Sequence, residues 1–307
     1  MNTVHTILQE VKKVIVGKDD VLAKSLLTIL AGGHILLEDI PGVGKTTMAL
    51  AFSKALGLSC NRMQFTPDVL PSDITGYSIY NAATGQMTYQ PGAVLCNLFL
   101  ADELNRATSR TQSALLETME EGQVTVDGVS RPVPQPFTVM ATQNPAGAKG
   151  TQLLPDSQLD RFMVRLSLGY PSHADELELL ARRQKGANPT ASQVADVAEL
   201  QHLKREVAQV FVKDEVLEYI LCLVEATRTH PAILQGGSPR ATLALAAMSR
   251  AVAFGQGRDY VLPRDVRMIF SDVIAHRLLW TPDITNAEAK KTVMDWILKN
   301  TPAPAVR

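Results

Sequence analysis

One lysine, two threonines and a pair of adjacent carboxylates are the groups in this chain whose spacing suits chemistry. Pro41, Gly42, Val43 and Gly44 are followed by Lys45, Thr46 and Thr47, and preceded by the apolar residues Ile35, Leu36 and Leu37. A strand that runs into a glycine-containing loop and then a helix can wrap the phosphates of a nucleotide. Its glycines let backbone N–H groups turn inward, and the helix N-terminus adds its positive end. In such a loop Lys45 reaches the β- and γ-phosphates, and the Thr46 hydroxyl sits on Mg²⁺. Where the common motif has its first glycine, this chain has Asp39. Taken by itself, the stretch also reads as a flexible glycine turn ahead of a helix.

The second group lies further on. Asn97-Leu98-Phe99-Leu100-Ala101 is an apolar strand that ends in Asp102 and Glu103. In nucleotide hydrolysis the first acid of such a pair holds the Mg²⁺ shell and the second polarises the attacking water. Alone, two acids at a strand end read as solvated carboxylates; together with the phosphate loop they point to hydrolysis of ATP or GTP. A further apolar strand, Pro136 to Ala141, leads to Thr142-Gln143-Asn144-Pro145. Asn144 at its tip can orient a water beside the γ-phosphate, or can simply start an Asn-Pro turn. Arg161 stands between a short helix and a strand, with a surface ion pair to Asp156 or Asp160 as its alternative reading. Ser238-Pro239-Arg240 opens a helix, with Ser238 as N-cap and Pro239 at the first position. Arg240 then sits in the first turn, where the helix dipole disfavours a cation and a bound phosphate would explain one.

The elements that position these groups alternate in the first half of the chain. Helices are predicted over Thr3–Val14, Asp20–Ala31, Lys45–Leu56 and Thr108–Glu121. In the third of these, Met48, Leu50, Ala51, Phe52, Ala55 and Leu56 form the apolar side and Gly57 ends the helix. Strands are predicted over His34–Glu38, Arg62–Phe65, Leu98–Asp102, Pro136–Ala141 and Phe162–Ser167. Short apolar strands separated by helices describe an α/β fold, a parallel sheet covered on both faces. Two hairpins interrupt it. Gly76–Gln90 alternates Tyr77, Ile79, Met87 and Tyr89 around a loop, and Gln123–Pro134 turns at Asp127-Gly128. From Ser172 the chain reads as helical, with helices at about 193–209, 214–229, 239–254, 263–277 and 286–299. The expected division is a nucleotide-binding α/β domain over 1–181, a linker over 182–192 rich in turn formers, and an all-α lid domain over 193–307.

Thirty basic residues against 31 acidic ones, in a chain of 307 that is 46% hydrophobic, give no global pull toward nucleic acid or an acidic membrane surface. The longest apolar run, Ser25 to Gly33, is too short to span a bilayer, so direct membrane insertion is not expected and the cytoplasm is the expected compartment. Cys60, Cys96 and Cys222 have no metal-type spacing and read as buried thiols.

Taken together and in order, Gly42-x-Gly-Lys-Thr46, Leu100-Ala-Asp-Glu-Leu-Asn-Arg106, Gln112 to Gly122, Thr142-Gln-Asn-Pro145, Leu159-Asp-Arg-Phe162 and Ser238-Pro-Arg240 resemble the MoxR family of AAA+ ATPases over almost the whole chain. Glu38-Asp39 ahead of the loop resembles that family's own variant of the motif. The resemblance implies a P-loop NTPase fold with a C-terminal helical lid, and ATP with Mg²⁺ as cofactors. It makes the two hairpins the helix-2 and pre-sensor-1 inserts. It implies that Val16 and Gly17 lie along the adenine, that Asn144 is sensor 1 and Arg240 sensor 2, and that Arg161 is an arginine finger supplied by a neighbouring subunit. Arg106 belongs to the pattern without an assigned role. The resemblance further implies a homo-oligomeric ring, a hexamer, acting as a chaperone-like remodeller of a protein partner that carries a von Willebrand factor A domain. A DNA-associated AAA+ motor and a nucleotide-gated scaffold are the competing functions. Against the motor, the hairpin tips Asn81–Gln86 and Asp127–Gly128 carry no Lys or Arg, so nucleic acid is not an expected partner. Against the scaffold, a pure binder has no need of Glu103.

Overall fold

The computed structural model describes residues 3–39, 42–83, 85–144, 154–186 and 189–305. Pro41 and Pro145 therefore lie outside the described residues. In chain order the elements are α1 (Thr3–Val14), α2 (Asp19–Leu30), β1 (Ile35–Glu38), α3 (Lys45–Ala55), β2 (Cys60–Gln64), α4 (Pro71–Thr75), β3 (Gly76–Asn81), β4 (Gln86–Pro91), β5 (Leu98–Asp102), α5 (Ser109–Glu121), β6 (Gln123–Val126), β7 (Val129–Pro132), β8 (Thr138–Gln143), α6 (Asp156–Leu159), β9 (Val164–Leu166), α7 (His173–Gln184), α8 (Val197–Gln209), α9 (Asp214–Thr229), β10 (Ile233–Gln235), α10 (Pro239–Gly255), α11 (Pro263–Ile274), β11 (Leu279–Trp280) and α12 (Ala287–Asn300). The chain divides into two compact units. One comprises Met1–Leu26, His34–Leu154 and Leu166–Gln201, and the other Leu27–Gly33, Pro155–Arg165 and His202–Arg307.

The first unit holds the glycine loop at Gly42 and Gly44. Its sheet runs in the order β2-β5-β8-β1-β9, and β2 with β5, β5 with β8 and β8 with β1 pair in parallel. Every residue of β5 and β8 is buried, as strands covered on both faces require. Helix α3 lays Met48, Ala51, Phe52 and Ala55 into the core, and each fully buried large side chain of this kind stabilises by about 1.5–3 kcal/mol. Leu50 does not join them. It is 44% exposed, because it lies on the solvent side of the helical period. Register does the positioning. Gln64 lies beside Asp102, and Glu38 beside Gln143, so the polar ends of four adjacent strands form one row at the edge where ligands bind in open α/β sheets.

Both hairpins are present. Asp127 and Gly128 take the left-handed φ values of +53° and +74° that a two-residue turn between β6 and β7 requires. In the β3–β4 hairpin Tyr80 is opposite Met87 and Tyr77 opposite Gln90. The apolar residues therefore fall on both faces, Tyr77 and Ile79 on one, Tyr80 and Met87 on the other. Tyr89 is not one of the exposed set: its hydroxyl donates to the Thr75 carbonyl at 2.5 Å and the Arg131 guanidinium of β7 lies 3.8 Å above its ring. That cation–π contact joins the two hairpins to each other.

The second unit is mainly helical among the described residues, and it also holds a bridge between Phe211 and Tyr260 and a short antiparallel pairing, β10 with β11, that the helical reading of the sequence does not contain. Ser238 caps α10 by accepting from the Ala241 N–H, with Pro239 in the first turn. Arg277, its side chain only 2% exposed, donates from Nε to Asp160 Oδ1 at 2.8 Å and from Nη2 to the Phe162 carbonyl at 2.8 Å. Asp160 also accepts from the Ser238 hydroxyl at 3.1 Å. The segment that carries Arg161 and the cap of the helix that carries Arg240 thus share one half-buried carboxylate.

Candidate nucleotide site

Gly42 and Gly44 have φ of +88° and +96°, a left-handed conformation that glycine adopts without strain. Lys45 opens α3 directly after Gly44, and its side chain is largely buried against the loop, where Nζ donates to the Asp39 carbonyl at 2.8 Å. Burial pulls the Lys45 ammonium below the ordinary lysine value, opposed by the carboxylates of Asp39, Asp102 and Glu103. The cation is thus poorly hydrated and set among acids, a state that an incoming anionic ligand stabilises.

Lys45, Thr46, Thr47, Gly42 and Gly44 line a cleft of about 310 Å³ together with Asp102, Glu103 and Asn144. These predicted residues, scattered over a hundred positions, are brought to one place by the row of strand ends. Asp102 receives the Thr142 hydroxyl at 2.7 Å on Oδ1 and the Thr46 hydroxyl at 3.4 Å on Oδ2. Glu103 has φ +56° and ψ +45°, a left-handed conformation that costs a residue with a side chain of order 1 kcal/mol and clusters at functional sites. The backbone there is held by the Glu103 N–H, which donates to Thr142 Oγ1 at 2.8 Å. Thr142 therefore fixes both acids at once. The Glu103 carboxylate accepts from Asn144 Nδ2 at 3.2 Å, from Gln64 Nε2 at 2.7 Å and from Arg106 Nη1 at 2.8 Å.

Three partners in this site escape a reading of the sequence. Arg62, on the edge strand β2, donates to Asp102 Oδ2 at 2.8 Å, and Gln64, two residues on, reaches Glu103. Thr142 reads from the sequence only as part of a strand tip. Only the alternation of β2, with side chains at 62 and 64 on one face, was a signal, and it does not say which strand lies alongside. Val16 lines a second cleft, of about 320 Å³, with Val14, Lys18, Gly42 to Gly44 and Tyr170. Gly17 lies against the Asp175 carboxylate so closely that a Cβ there would meet it at 2.1 Å. Arg161 and Arg240 belong to the other compact unit. Asp160, one of the partners considered for Arg161, accepts from Arg277 and Ser238.

Comparisons with known proteins bear on what this cleft is. Residues 34–164 match the model of the ATPase family associated with various cellular activities (AAA), and residues 225–295 match the AAA lid domain. The chain is 38% identical to the chaperone MoxR1 of Mycobacterium tuberculosis over 100% of its own length and 84% of that protein's. It belongs to the MoxR family of AAA+ ATPases. An uncharacterized protein YeaC of Bacillus subtilis is 47% identical over 90% of this chain and 87% of that one. A crystal structure from Cytophaga hutchinsonii, described provisionally as an ATPase, superposes with a TM-score of 0.90 at 36% identity, covering 99% of this chain and 95% of that one. Among the described residues, no helix of this MoxR-family chain is long and apolar enough to cross a membrane.

Arg106, without a role in the motif pattern, has a physical one in the geometry. Its hydrogen bond is the largest of the influences that hold the Glu103 carboxyl below the ordinary glutamate value, while burial pushes the other way. Removing it leaves burial less opposed, so the carboxyl should take up its proton at higher pH. Arg106→Ala is expected to move the acid limb of the ATPase pH profile upward and leave the alkaline side in place. A profile whose acid limb does not shift would separate Arg106 from the ionisation of Glu103.

Proposed function

We propose that this MoxR-family protein is a Mg²⁺-dependent ATP hydrolase that works as a hexameric homo-oligomer and remodels or activates a protein partner bearing a von Willebrand factor A domain, in the cytoplasm. The observation that carries the hydrolytic part is Glu103, at the cleft of Lys45 and Thr46, with Asn144 3.2 Å from its carboxylate. In this reading Lys45 and the loop N–H groups bind the β- and γ-phosphates, Glu103 takes the proton of the attacking water, and Asn144 orients that water. Thr46 and Asp102 would hold Mg²⁺. Their hydroxyl and carboxylate oxygens are hard donors set 3.4 Å apart, and two protein donors suit an ion that completes its octahedral shell with water and phosphate oxygens. When bound, the ion neutralises charge on the phosphates. The base would lie in the second cleft, along Val16 and Gly17. Arg161 would act across the ring on a neighbour's nucleotide and Arg240 on the phosphates from the lid.

The partner half of the proposal rests on family membership, on the chaperone named among its relatives and on the β3–β4 hairpin. Tyr77, Ile79, Tyr80 and Met87 are all between 46% and 62% exposed, more apolar surface than a free arm needs. Cutting Asn81–Gly85 to a two-residue turn is expected to leave basal ATP hydrolysis within about twofold, since the change lies outside the cleft, and to abolish stimulation or activation of the partner. Partner activation at the wild-type level would remove the hairpin from the contact. An unfolded product would place it in the core instead.

A further inference from the structure

Asp39 stands where a glycine is usual, and an acid is electrostatically adverse in a loop built for phosphates. It is also buried, at 6% exposure. Its side chain points at a different part of the molecule. Oδ1 accepts from the Ser167 hydroxyl at 2.9 Å and from the Gly169 N–H at 3.1 Å, and Oδ2 accepts from the Leu168 N–H. Its main chain faces the phosphate loop: the carbonyl accepts from Lys45 Nζ at 2.8 Å, and the N–H donates to the Gln143 carbonyl at 3.3 Å on β8. The residues it grips are the start of a strap. Lys18 Nζ holds the same strap one step further on, donating to the carbonyls of Gly169 and Tyr170 at 3.2 and 2.8 Å. Tyr170 and Pro171 then line the second cleft, with Val16 and Lys18 opposite.

We infer that Asp39 is a positioning residue that ties the 167–171 strap, one wall of the cleft for the nucleoside, to the loop that holds the phosphates. The inference rests on the nucleotide reading above and adds a division of labour to it: the carboxylate serves recognition of the nucleoside, and the backbone of the same residue serves Lys45. Without the carboxylate, three donors at 167–169 lose their acceptor and the strap loses this tether, while the backbone of residue 39 can stay in place. The phosphates keep their site; the nucleoside loses a wall.

A base-free ligand separates the two effects. Binding of MgATP and of tripolyphosphate with Mg²⁺ is measured by calorimetric titration of the full chain, with thermal melting as the check on folding. Asp39→Ala is expected to raise the dissociation constant for MgATP by about tenfold or more and that for tripolyphosphate by less than about threefold. Asp39→Asn keeps an acceptor for Ser167 and Gly169 but sets an NH₂ group against the Leu168 N–H, so its selective loss should be intermediate. Should Asp39→Ala melt without a cooperative transition, the ratio of the two ligands in Asp39→Asn decides. Equal weakening of both ligands, or no weakening of MgATP, overturns the inference and leaves the nucleotide site standing. A wild-type protein that binds neither ligand overturns the nucleotide reading itself, and the role of Asp39 with it.

Discussion

Glu103→Gln is expected to bind MgATP as the wild type does and to hydrolyse it about 10²–10⁴-fold more slowly, the range that a positioned general base contributes. The substitution keeps the length of the side chain. It also keeps one oxygen for the hydrogen bonds from Gln64 and Arg106, so the left-handed turn at residue 103, anchored by the Thr142 hydroxyl, should survive. What it removes is the acceptor for a proton. Asp102→Asn should behave differently. It removes the charge that faces Thr46 and Arg62, so its effect should appear as a weaker response to Mg²⁺ and as poorer nucleotide affinity. Single-turnover hydrolysis over a Mg²⁺ titration checks both variants. Identical behaviour would contradict the division of roles between the two acids.

Arg161→Ala should bind ATP and turn it over about a thousandfold or more slowly, as loss of an arginine that stabilises the transferring phosphoryl group does. Lys45→Ala should also be inactive, for a different reason, since it lacks the cation of its own loop but still offers Arg161. If Arg161 serves a neighbour's site, each variant holds what the other lacks. Random assembly of equal amounts leaves about a quarter of head-to-tail interfaces with an intact loop facing an intact finger. Activity should therefore return on mixing, in proportion to those interfaces. Mixed rings seen by native mass spectrometry, with no activity restored, would contradict action in trans. The shared carboxylate of Asp160 makes a control available within the same unit. Arg277→Lys disturbs the hub that grips residues 160–163 without touching Arg161, and should lower activity less than Arg161→Ala does.

What could be read from the chain was whatever is decided locally. Gly42, Gly44 and Lys45 announce a left-handed glycine loop that runs straight into a helix, because that geometry is set within a few residues. Asp127-Gly128 announces its turn, and Ser238-Pro239 its helix start, for the same reason. The apolar runs that became β5 and β8 could be recognised because strands covered on both faces need no polar alternation. What was hidden depends on which distant segments meet. Arg62 and Gln64 sit on an edge strand whose neighbour is β5, and nothing near residue 62 names Asp102 as its partner. The Asp39 carboxylate finds its donors 128 to 130 residues away, and Arg277 finds Asp160 across 117. A count of apolar residues puts Leu50 inside, whereas the helical period puts it outside. The pairing of β10 with β11 was missed because Leu279–Trp280 is only two residues long and carries no pattern of its own.

The cleft of Lys45, Thr46, Asp102 and Glu103 is proposed above to hydrolyse ATP with Mg²⁺. Phosphate release from ATP by the purified wild-type chain, followed with Mg²⁺ present and then after chelation, tests it directly at a protein concentration high enough for rings to form. The account predicts steady release that stops on chelation and resumes when Mg²⁺ is restored. Tight binding of ATP with no phosphate release in either condition would contradict it, and would leave a nucleotide-gated scaffold in place of an enzyme.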